Sequence, residues 1–437
     1  ILSIAKELTG KKIRQFTYNS MLRHEIKEKV RELGISNLEV HTYHSFAVKH
    51  YSDGAHTDTG IRKITRDNME PRNPIPLVDI VVIDESQDMT LLYFELIVKM
   101  ANDMCSLDNP LVKDEPHKFQ LLVLGDYMQG LYEFKGADIR FLTKASDIWR
   151  KLPYLVTSKF QQCVLKTSYR VTNQMAKFVN CDMLGEDRLV ACREGTPVVY
   201  IRRSRYQIEK IVVYQIQRLL SEGESPSDIF VLGGSVKGAN SNIRHMENVL
   251  TEADIPCHVP MMETDVMDER VINGKVVFST FHTVKGRQRK YVFVVGFDQG
   301  YFYTARNIPK DVCPNTLYVA CTRATHGLYL LENDNSRPLE FLKRGQPDMK
   351  QSESIAFKGL PQSIFHEAVQ EEDPNIVIIP TYHVTPTDLI KFVPESVIEY
   401  VTPILDKIFI QEVEPTEDME FDIPRIVQTR SSLFEEV

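Results

Sequence analysis

The chain of 437 residues is 43% hydrophobic and 26% charged, which is ordinary for a soluble globular protein and suits two to four domains. No apolar run approaches the ~18 residues of a membrane-spanning helix, so no membrane-spanning segment is expected. Seven scattered cysteines without a C-x-x-C pair indicate reduced thiols and a location inside the cell, in the cytoplasm or nucleus.

The net charge of −8 is distributed unevenly along the chain. Residues 351–437 contain 17 acidic and 5 basic residues, whereas residues 1–350 contain 43 acidic and 47 basic residues. The acidic end is typical of a solvated surface. The mildly basic body is compatible with a ligand that has a phosphate backbone, although it does not require one.

Strands alternate with helices in the first part of the chain. Helices are predicted at 1–9, 20–34 and 91–103, and strands at 13–18, 38–43, 77–84 and 119–126. This alternation predicts an α/β domain with a parallel sheet, which we place at residues 1–160.

A second set of strands is predicted at 229–234, 275–282, 290–297 and 327–332. These strands indicate a second α/β domain at residues 161–334. Residues 335–437 form an acidic C-terminal extension of unknown role, in which residues 375–405 have the periodicity of a small separate module.

Two motifs of the first domain place polar residues at strand ends, where parallel sheets bind ligands. In VVIDESQD, an apolar strand runs into Asp84 and Glu85. An aspartate at such a position is typical of a Mg²⁺ ligand, and an adjacent glutamate is typical of a base that takes a proton from water. An acidic turn without a ligand is the alternative.

The second motif, LLVLGDYMQGLYEFKGAD, follows the next strand. Its Gln129 is a candidate contact for a phosphate or an attacking water. Tyr132 and Phe134 alternate with charged residues, and aromatic rings beside a cation can stack on unpaired bases. A packed aromatic turn is the alternative.

The second domain contains three further motifs. LKTSYR ends in Arg170, and LYVACTRA places Arg323 near a helix C-terminus. A guanidinium near a triphosphate can stabilise developing charge, whereas a salt-bridged arginine or a helix-terminal arginine is the alternative. In STFHTVKGRQ, hydroxyls, a lysine and a glycine follow an apolar strand, a composition that suits phosphate.

In this order, the motifs resemble those of the UvrD/Rep/PcrA-type superfamily 1 DNA helicases. TYNSML is similar to motif Ia, HTYHSF to Ib, VVIDESQDM to II, LGDYMQGLYEFKGA to III, LKTSYR to IV, STFHTVKGRQ to V and LYVACTRA to VI. The resemblance covers residues 1–332 and implies two RecA-like P-loop NTPase domains. It also implies ATP and Mg²⁺ as cofactors, single-stranded DNA as the partner, and a monomer that moves 3′→5′.

The resemblance implies a role for each matching residue. Asp84 would bind Mg²⁺, and Glu85 would be the general base. The other residues expected at the nucleotide are Gln129 as γ-phosphate sensor, Arg170 and Arg323 as arginine fingers, and Lys285, Gly286 and Gln288. The residues expected along single-stranded DNA are Thr17, Asn19, Thr42, His44, Tyr132, Phe134, Thr280 and His282.

The chain departs from the pattern of the family at three places. The phosphate-binding motif G-x-x-x-x-G-K-[ST] is absent from the sequence, and we expect it in an upstream segment of the intact protein. Gln288 stands where the family usually has a glutamate. The segments between 45 and 84 and between 257 and 275 are too short for the usual 1B and 2B subdomains.

These departures leave alternatives open. An ATP-dependent DNA helicase or translocase is expected of the intact protein, and little ATP hydrolysis is expected of the 437-residue chain without its phosphate-binding loop. A helicase-like module that binds nucleic acid without ATP turnover is one alternative. An RNA helicase of the same superfamily is the other.

Overall fold

The computed structural model describes residues 1–236, 242–260, 269–303, 305–342 and 355–356. The chain divides between Leu165 and Lys166 into two compact units. Each unit is built on a parallel β-sheet with helices between the strands, so the predicted α/β fold class is confirmed. No helix in these ranges is both long enough and apolar enough to cross a membrane.

Unit 1 contains a four-stranded sheet in the order β2-β1-β3-β4, in which every neighbouring pair is parallel. Its strands are β1 (Ile13–Thr17), β2 (Leu38–Thr42), β3 (Ile80–Ile83) and β4 (Gln120–Val123). Its helices are α1 (Leu2–Glu7), α2 (Ser20–Glu32), α3 (Tyr43–His50), α4 (Asp58–Arg66), α5 (Leu91–Cys105), α6 (Arg140–Thr143) and α7 (Ala145–Trp149).

The central strands of unit 1 are buried on both faces. Phe16, Val81 and Ile83 face a core that includes α3 and α5, whereas Ile13 and Val82 face a smaller core that includes α1 and α2. Burial on both faces explains why β3, with the sequence IVVI, is a continuous apolar run rather than an alternating pattern.

The order of the strands defines where a ligand would bind. The chain runs from β1 to β2 on one side of the sheet, and from β3 to β4 on the other side. The connections that leave the carboxyl ends of β1 and β3 therefore diverge, and such a switch point forms the crevice in which open parallel sheets bind ligands.

Strand β4 differs from its neighbours in burial. All residues of β1 and β3 are buried, whereas Gln120 is exposed and Leu121, Leu122 and Val123 are only half-buried. On the outer side, Phe119 just before β4 forms a single bridge with Leu155, and no strand from the described part of the chain pairs with the rest of this edge. An apolar strand with an open edge is a place where a further strand can pair.

Unit 2 contains a seven-stranded parallel sheet in the order β13-β7-β12-β11-β8-β10-β9, and the short strands β5 and β6 pair separately. The strands are β5 (Thr167–Ser168), β6 (Val190–Ala191), β7 (Val198–Arg203), β8 (Ile229–Gly233), β9 (Cys257–His258), β10 (Val276–Thr280), β11 (Arg289–Val295), β12 (Ala324–Asn333) and β13 (Ile355–Ala356). The helices are α8 (Asn173–Lys177), which continues into a π-helix (Phe178–Leu184), α9 (Arg205–Ser221), α10 (Asn242–Glu252), α11 (Glu269–Ile272) and α12 (Asn315–Cys321).

The observed strands include all eight that the sequence predicts. The sequence did not predict β7, which pairs with β12 and β13. In the predicted C-terminal extension, only residues 335–342 and 355–356 are described, and the latter form β13 at the edge of the second sheet. The predicted module at 375–405 lies outside the described residues.

Gly60 lies in α4, where close packing leaves no space for a larger residue. A Cβ atom at Gly60 would lie 2.0 Å from the carbonyl oxygen of Gly54 and 2.7 Å from the Cα of Ala55. We expect Gly60→Ala to lower the free energy of unfolding of unit 1 by about 1–3 kcal/mol, because both clashing groups are backbone. Urea unfolding followed by fluorescence of Trp149, the single tryptophan of the chain, measures this change.

The control is Gly10→Ala, because a Cβ atom at Gly10 would have no neighbour within 4 Å. Equal unfolding midpoints for the two variants would contradict the close packing of α4.

Candidate functional site

Asp84 lies at the switch point of unit 1, one residue beyond the end of β3. Its backbone N–H donates to the carbonyl oxygen of Phe16 on β1 at 2.9 Å. Its Oδ2 accepts a hydrogen bond from Nε2 of Gln15 at 2.8 Å, and its Oδ1 accepts one from the N–H of Glu85 at 3.1 Å. Asp84 is therefore joined to β1 by both its backbone and its side chain.

The environment of Asp84 opposes its ionisation. Burial, and then the neighbouring carboxylate of Glu85, raise the pKa of Asp84 to about 6, although the hydrogen bonds from Glu85 and Gln15 act in the opposite direction. A carboxyl group that is kept in such a position at the expense of stability is typical of a functional site.

Glu85 is fixed by its backbone and by Gln87. Glu85 has a left-handed conformation (φ 54°, ψ 42°), which turns the chain sharply after the strand. Its Oε2 accepts a hydrogen bond from Nε2 of Gln87, and Oε1 of Gln87 accepts one from the N–H of Asp126 at 3.1 Å. Gln87 is fully buried, so it joins the loop after β3 to the loop after β4.

The approach of Gln87 requires a glycine on the neighbouring loop. A Cβ atom at Gly125 would lie 2.3 Å from Oε1 of Gln87. The sequence analysis did not identify Gln87 as functional. Its signal is its position between two acidic residues, directly after an apolar strand, where a buried polar side chain must find partners.

Gln129 lies in the same loop as Asp126. Its Nε2 donates to Oδ2 of Asp126 at 3.0 Å, while Oδ1 of Asp126 accepts from the N–H of Met128 at 3.1 Å. Asp84, Glu85 and Gln129 thus lie at the carboxyl edge of one sheet and are connected through Gln87 and Asp126.

The aromatic residues of this edge form a continuous series of ring contacts. Tyr43 stacks on Tyr93 with ring centroids 4.4 Å apart, and Tyr93 contacts the edge of Tyr18 at 6.2 Å. Tyr18 stacks on Tyr132 at 5.5 Å, and Tyr132 contacts Phe134 at 6.2 Å. The series leads from the core to the surface.

Phe134 is the exposed end of this series. Its side chain is 65% exposed, and the ammonium group of Lys135 lies 5.6 Å from its ring and 5.0 Å from the ring of Tyr132. A large exposed ring beside a cation combines the two features that bind an unpaired base and its phosphate.

The other residues that the sequence placed along a nucleic acid in unit 1 have different surroundings. Asn19 is exposed, and Thr42 caps α3 by accepting a hydrogen bond from the N–H of Ser45. His44 pairs with Asp58, with 2.9 Å between Nε2 and Oδ1. Thr17 is 0% exposed, so its hydroxyl does not reach the surface in this conformation.

The two arginines predicted from motifs IV and VI meet at Thr322 in unit 2. Arg170 donates to Oε1 of Gln288 at 2.8 Å and to the carbonyl oxygen of Thr322 at 3.3 Å. Arg323 is 1% exposed, and it donates to the hydroxyl of Thr322 at 3.2 Å and to the carbonyl oxygen of Val319 at 2.9 Å. Gln288 therefore holds Arg170 in this conformation.

Arg193 is a further residue of this cluster that the sequence analysis missed. Its Nη2 donates to the carbonyl oxygens of Arg170 and Thr325. It thus supports the backbone of the motif IV arginine, and no local pattern in the sequence indicates this contact.

The remaining predicted residues lie in the turn that connects β10 with β11. The hydroxyl of Thr280 is 2.9 Å from that of Thr283, and the N–H of Lys285 donates to the carbonyl oxygen of His282 at 3.3 Å. Gly286 has a left-handed φ of 82° and ends the turn. These residues form a compact polar turn at the carboxyl end of β10, the strand beside the edge strand β9.

Comparisons with known proteins add two similar solved structures. The C-terminal domain of a possible DNA helicase from Lactobacillus plantarum WCFS1 is 20% identical with a TM-score of 0.30, and the match covers 42% of this chain and 96% of that domain. The PRRSV helicase is 11% identical with a TM-score of 0.35, over 76% of this chain and 50% of that protein.

No protein-family model matches the sequence, and no curated protein does. At these identities and TM-scores, neither structure identifies an activity of this chain.

Proposed function

We propose that this chain is the motor of an ATP-dependent helicase or translocase that moves 3′→5′ on single-stranded DNA. The observation that carries the proposal is the pair of carboxylates, Asp84 and Glu85, at the switch point between β1 and β3. The order of motifs along the sequence, which resembles that of superfamily 1 DNA helicases, supports it further.

The residues at the switch point suit Mg²⁺. In the described part of the chain, no three His, Cys, Asp or Glu side chains lie together as they do in an all-protein metal site. Mg²⁺ in nucleotide enzymes is held by one or two carboxylates and the phosphates and keeps several waters, which matches Asp84. When bound, this ion neutralises charge on the phosphates.

The phosphate-binding loop is proposed to lie in an upstream segment of the intact protein. One feature of unit 1 supports this proposal. Beyond the bridge between Phe119 and Leu155, no described strand pairs with the outer edge of β4, and the apolar residues of β4 are half-buried, as expected where one more strand pairs.

The roles of the other side chains follow from their contacts. Glu85, oriented by Gln87, takes a proton from the attacking water. Gln129, held by Asp126, orients that water or contacts the terminal phosphate. Within unit 2, Thr322 accepts hydrogen bonds from both Arg170 and Arg323, and such a pair of guanidinium groups can stabilise charge that develops on a phosphate.

The first test replaces the proposed base. In the full-length protein, we expect Glu85→Gln to lower the rate of DNA-stimulated ATP hydrolysis by about 10²–10⁴-fold, the usual contribution of a general base. Nucleotide affinity should change little, because the amide keeps the shape of the side chain. Steady-state hydrolysis and binding of a fluorescent nucleotide measure the two effects.

Glu133→Gln is the matched control, because Glu133 is an exposed carboxylate of the loop that follows Gln129. Unchanged hydrolysis in Glu85→Gln would refute the assignment of the base. Equal loss in both variants would show that the effect is not specific to Glu85.

The second test uses the raised pKa of Asp84. Because burial raises this pKa from 3.8 to about 6, the protonated carboxyl group favours the folded state below pH 4, and this contribution is lost as the pH rises through 6. We expect Asp84→Asn to stabilise unit 1 by about 2–3 kcal/mol at pH 8, and by less at pH 4.5. Urea unfolding followed by the fluorescence of Trp149 measures both values.

Asp79→Asn is the control of opposite sign. Despite partial burial, hydrogen bonds from the N–H of Lys12 and the ammonium group of Lys11 lower the pKa of Asp79. Its loss should therefore destabilise unit 1 at pH 8. If Asp84→Asn instead destabilises unit 1 at pH 8, the carboxylate of Asp84 does not lower stability, and the interpretation that it is kept for function at a cost in stability is contradicted.

The third test concerns single-stranded DNA. We expect Phe134→Ala in the full-length protein to weaken binding of an oligothymidine by about 5–100-fold, because stacking on one ring contributes ~1–3 kcal/mol per base. Fluorescence anisotropy at fixed salt measures this affinity.

The matched control is Tyr206→Ala in unit 2, since Tyr206 is also more than half exposed and has a lysine ammonium group 4.5 Å from its ring centroid. Wild-type affinity in Phe134→Ala would remove the aromatic series from the proposed DNA path. A stronger preference of the wild-type protein for RNA would instead favour an RNA helicase.

A further inference from the structure

Gln15 is an unusual residue in the centre of a buried sheet. It lies on β1, between β2 and β3, and it is 0% exposed. Its neighbours in the sheet are Val40 and Val82, which are apolar. A primary amide in such a layer gives no hydrophobic stabilisation, and each of its polar groups that stays unpaired destabilises the fold.

One half of the Gln15 amide has a partner. Nε2 of Gln15 donates to Oδ2 of Asp84 at 2.8 Å, and the other carboxylate oxygen of Asp84, Oδ1, accepts a hydrogen bond from the N–H of Glu85. The charge of Asp84 fixes the orientation of the amide, because the opposite orientation would place the carbonyl oxygen of Gln15 against a carboxylate. Gln15 therefore determines the direction of the Asp84 side chain.

The other half of the amide has none among the described residues. Oε1 of Gln15 is buried without a hydrogen-bond partner, and so is the hydroxyl oxygen of Thr17, two residues further along the same face of β1. Buried oxygens in native proteins are rarely left unpaired, and two together beside Asp84 indicate that a group with hydrogen-bond donors belongs there.

We propose that Gln15 is a positioning residue of the metal site: its Nε2 holds Asp84, and its Oε1 accepts a hydrogen bond from a water of the cation that Asp84 binds. The inference rests on the proposed function and names a residue outside the motifs that indicate that function. Residues that orient metal ligands in this way typically contribute 10–100-fold to metal affinity.

The test replaces Gln15 by methionine, which has nearly the same length and volume but no amide. Binding of Mn²⁺ to the full-length protein with ADP is measured by electron paramagnetic resonance, which does not require turnover. We expect Gln15→Met to weaken Mn²⁺ binding by at least 10-fold. Unit 1 should stay folded, because the exchange conserves volume and the removal of an unpaired buried oxygen offsets part of the lost hydrogen bond to Asp84.

Two further variants complete the design. Gln15→Asn keeps an amide but is one methylene shorter, so it should lose the contact with Asp84 and weaken Mn²⁺ binding as well. Gln215→Met is the control, because Gln215 on α9 in unit 2 is 3% exposed and its Oε1 is also unpaired among the described residues. Its Mn²⁺ affinity should equal that of the wild-type protein.

The outcomes separate this inference from the proposed function. If the wild-type protein binds Mn²⁺ and both Gln15 variants bind it with affinities within twofold of the wild-type value, the role of Gln15 is overturned. The proposed function is then left intact. Absence of nucleotide-dependent Mn²⁺ binding in the wild-type protein would overturn the proposed function, and this inference with it. Loss of folded structure in both Gln15 variants would show that Gln15 is a structural residue, which also overturns the inference.

Discussion

The half-buried carboxyl group of Asp84 is the constraint around which the carboxyl edge of unit 1 is organised. It lies where the connections from β1 and β3 diverge, and burial and Glu85 together raise its pKa to about 6. Two hydrogen bonds to this carboxylate, from the side-chain amide of Gln15 on β1 and from the backbone N–H of Glu85, offset part of the free-energy cost of ionising it. The strands are rigid and buried, so the position of this group is fixed by the core itself.

Further hydrogen bonds fix the other functional side chains along the carboxyl edge of the sheet. Gln87 connects Glu85 to the loop after β4, and Asp126 connects that loop to Gln129. The connection depends on the close approach that Gly125 permits. In unit 2, Thr322 has a comparable position between Arg170 and Arg323. In both units, buried polar groups fix the chemistry-bearing side chains more firmly than flexible loops would.

Strands and strand-end motifs were predictable because they are continuous in the sequence. IVVI and the Asp84–Glu85 pair that follows form one local pattern, and apolar runs of this kind indicate strands buried on both faces. β7 was missed because Val198–Arg203 ends in two arginines and resembles an exposed segment. The roles of Gln15 and Gln87 were not predictable, since each depends on a partner on another strand or loop. The burial of Thr17 was not predictable for the same reason, because only the strands beside β1 determine which of its side chains are buried.

The same short segments serve the carboxylates and the aromatic series. β1 carries Gln15, which holds Asp84, and three residues later Tyr18 stacks on Tyr132. Gln129 likewise precedes Tyr132 by three residues in one loop. Each connection is too short to absorb a displacement by bending, and each is packed against a buried sheet. A shift of Asp84 or Gln129 would therefore move Tyr18 or Tyr132, and with them Phe134 at the surface. In unit 1, the carboxylates and the exposed ring are thus connected by two steps of three residues and one ring stack.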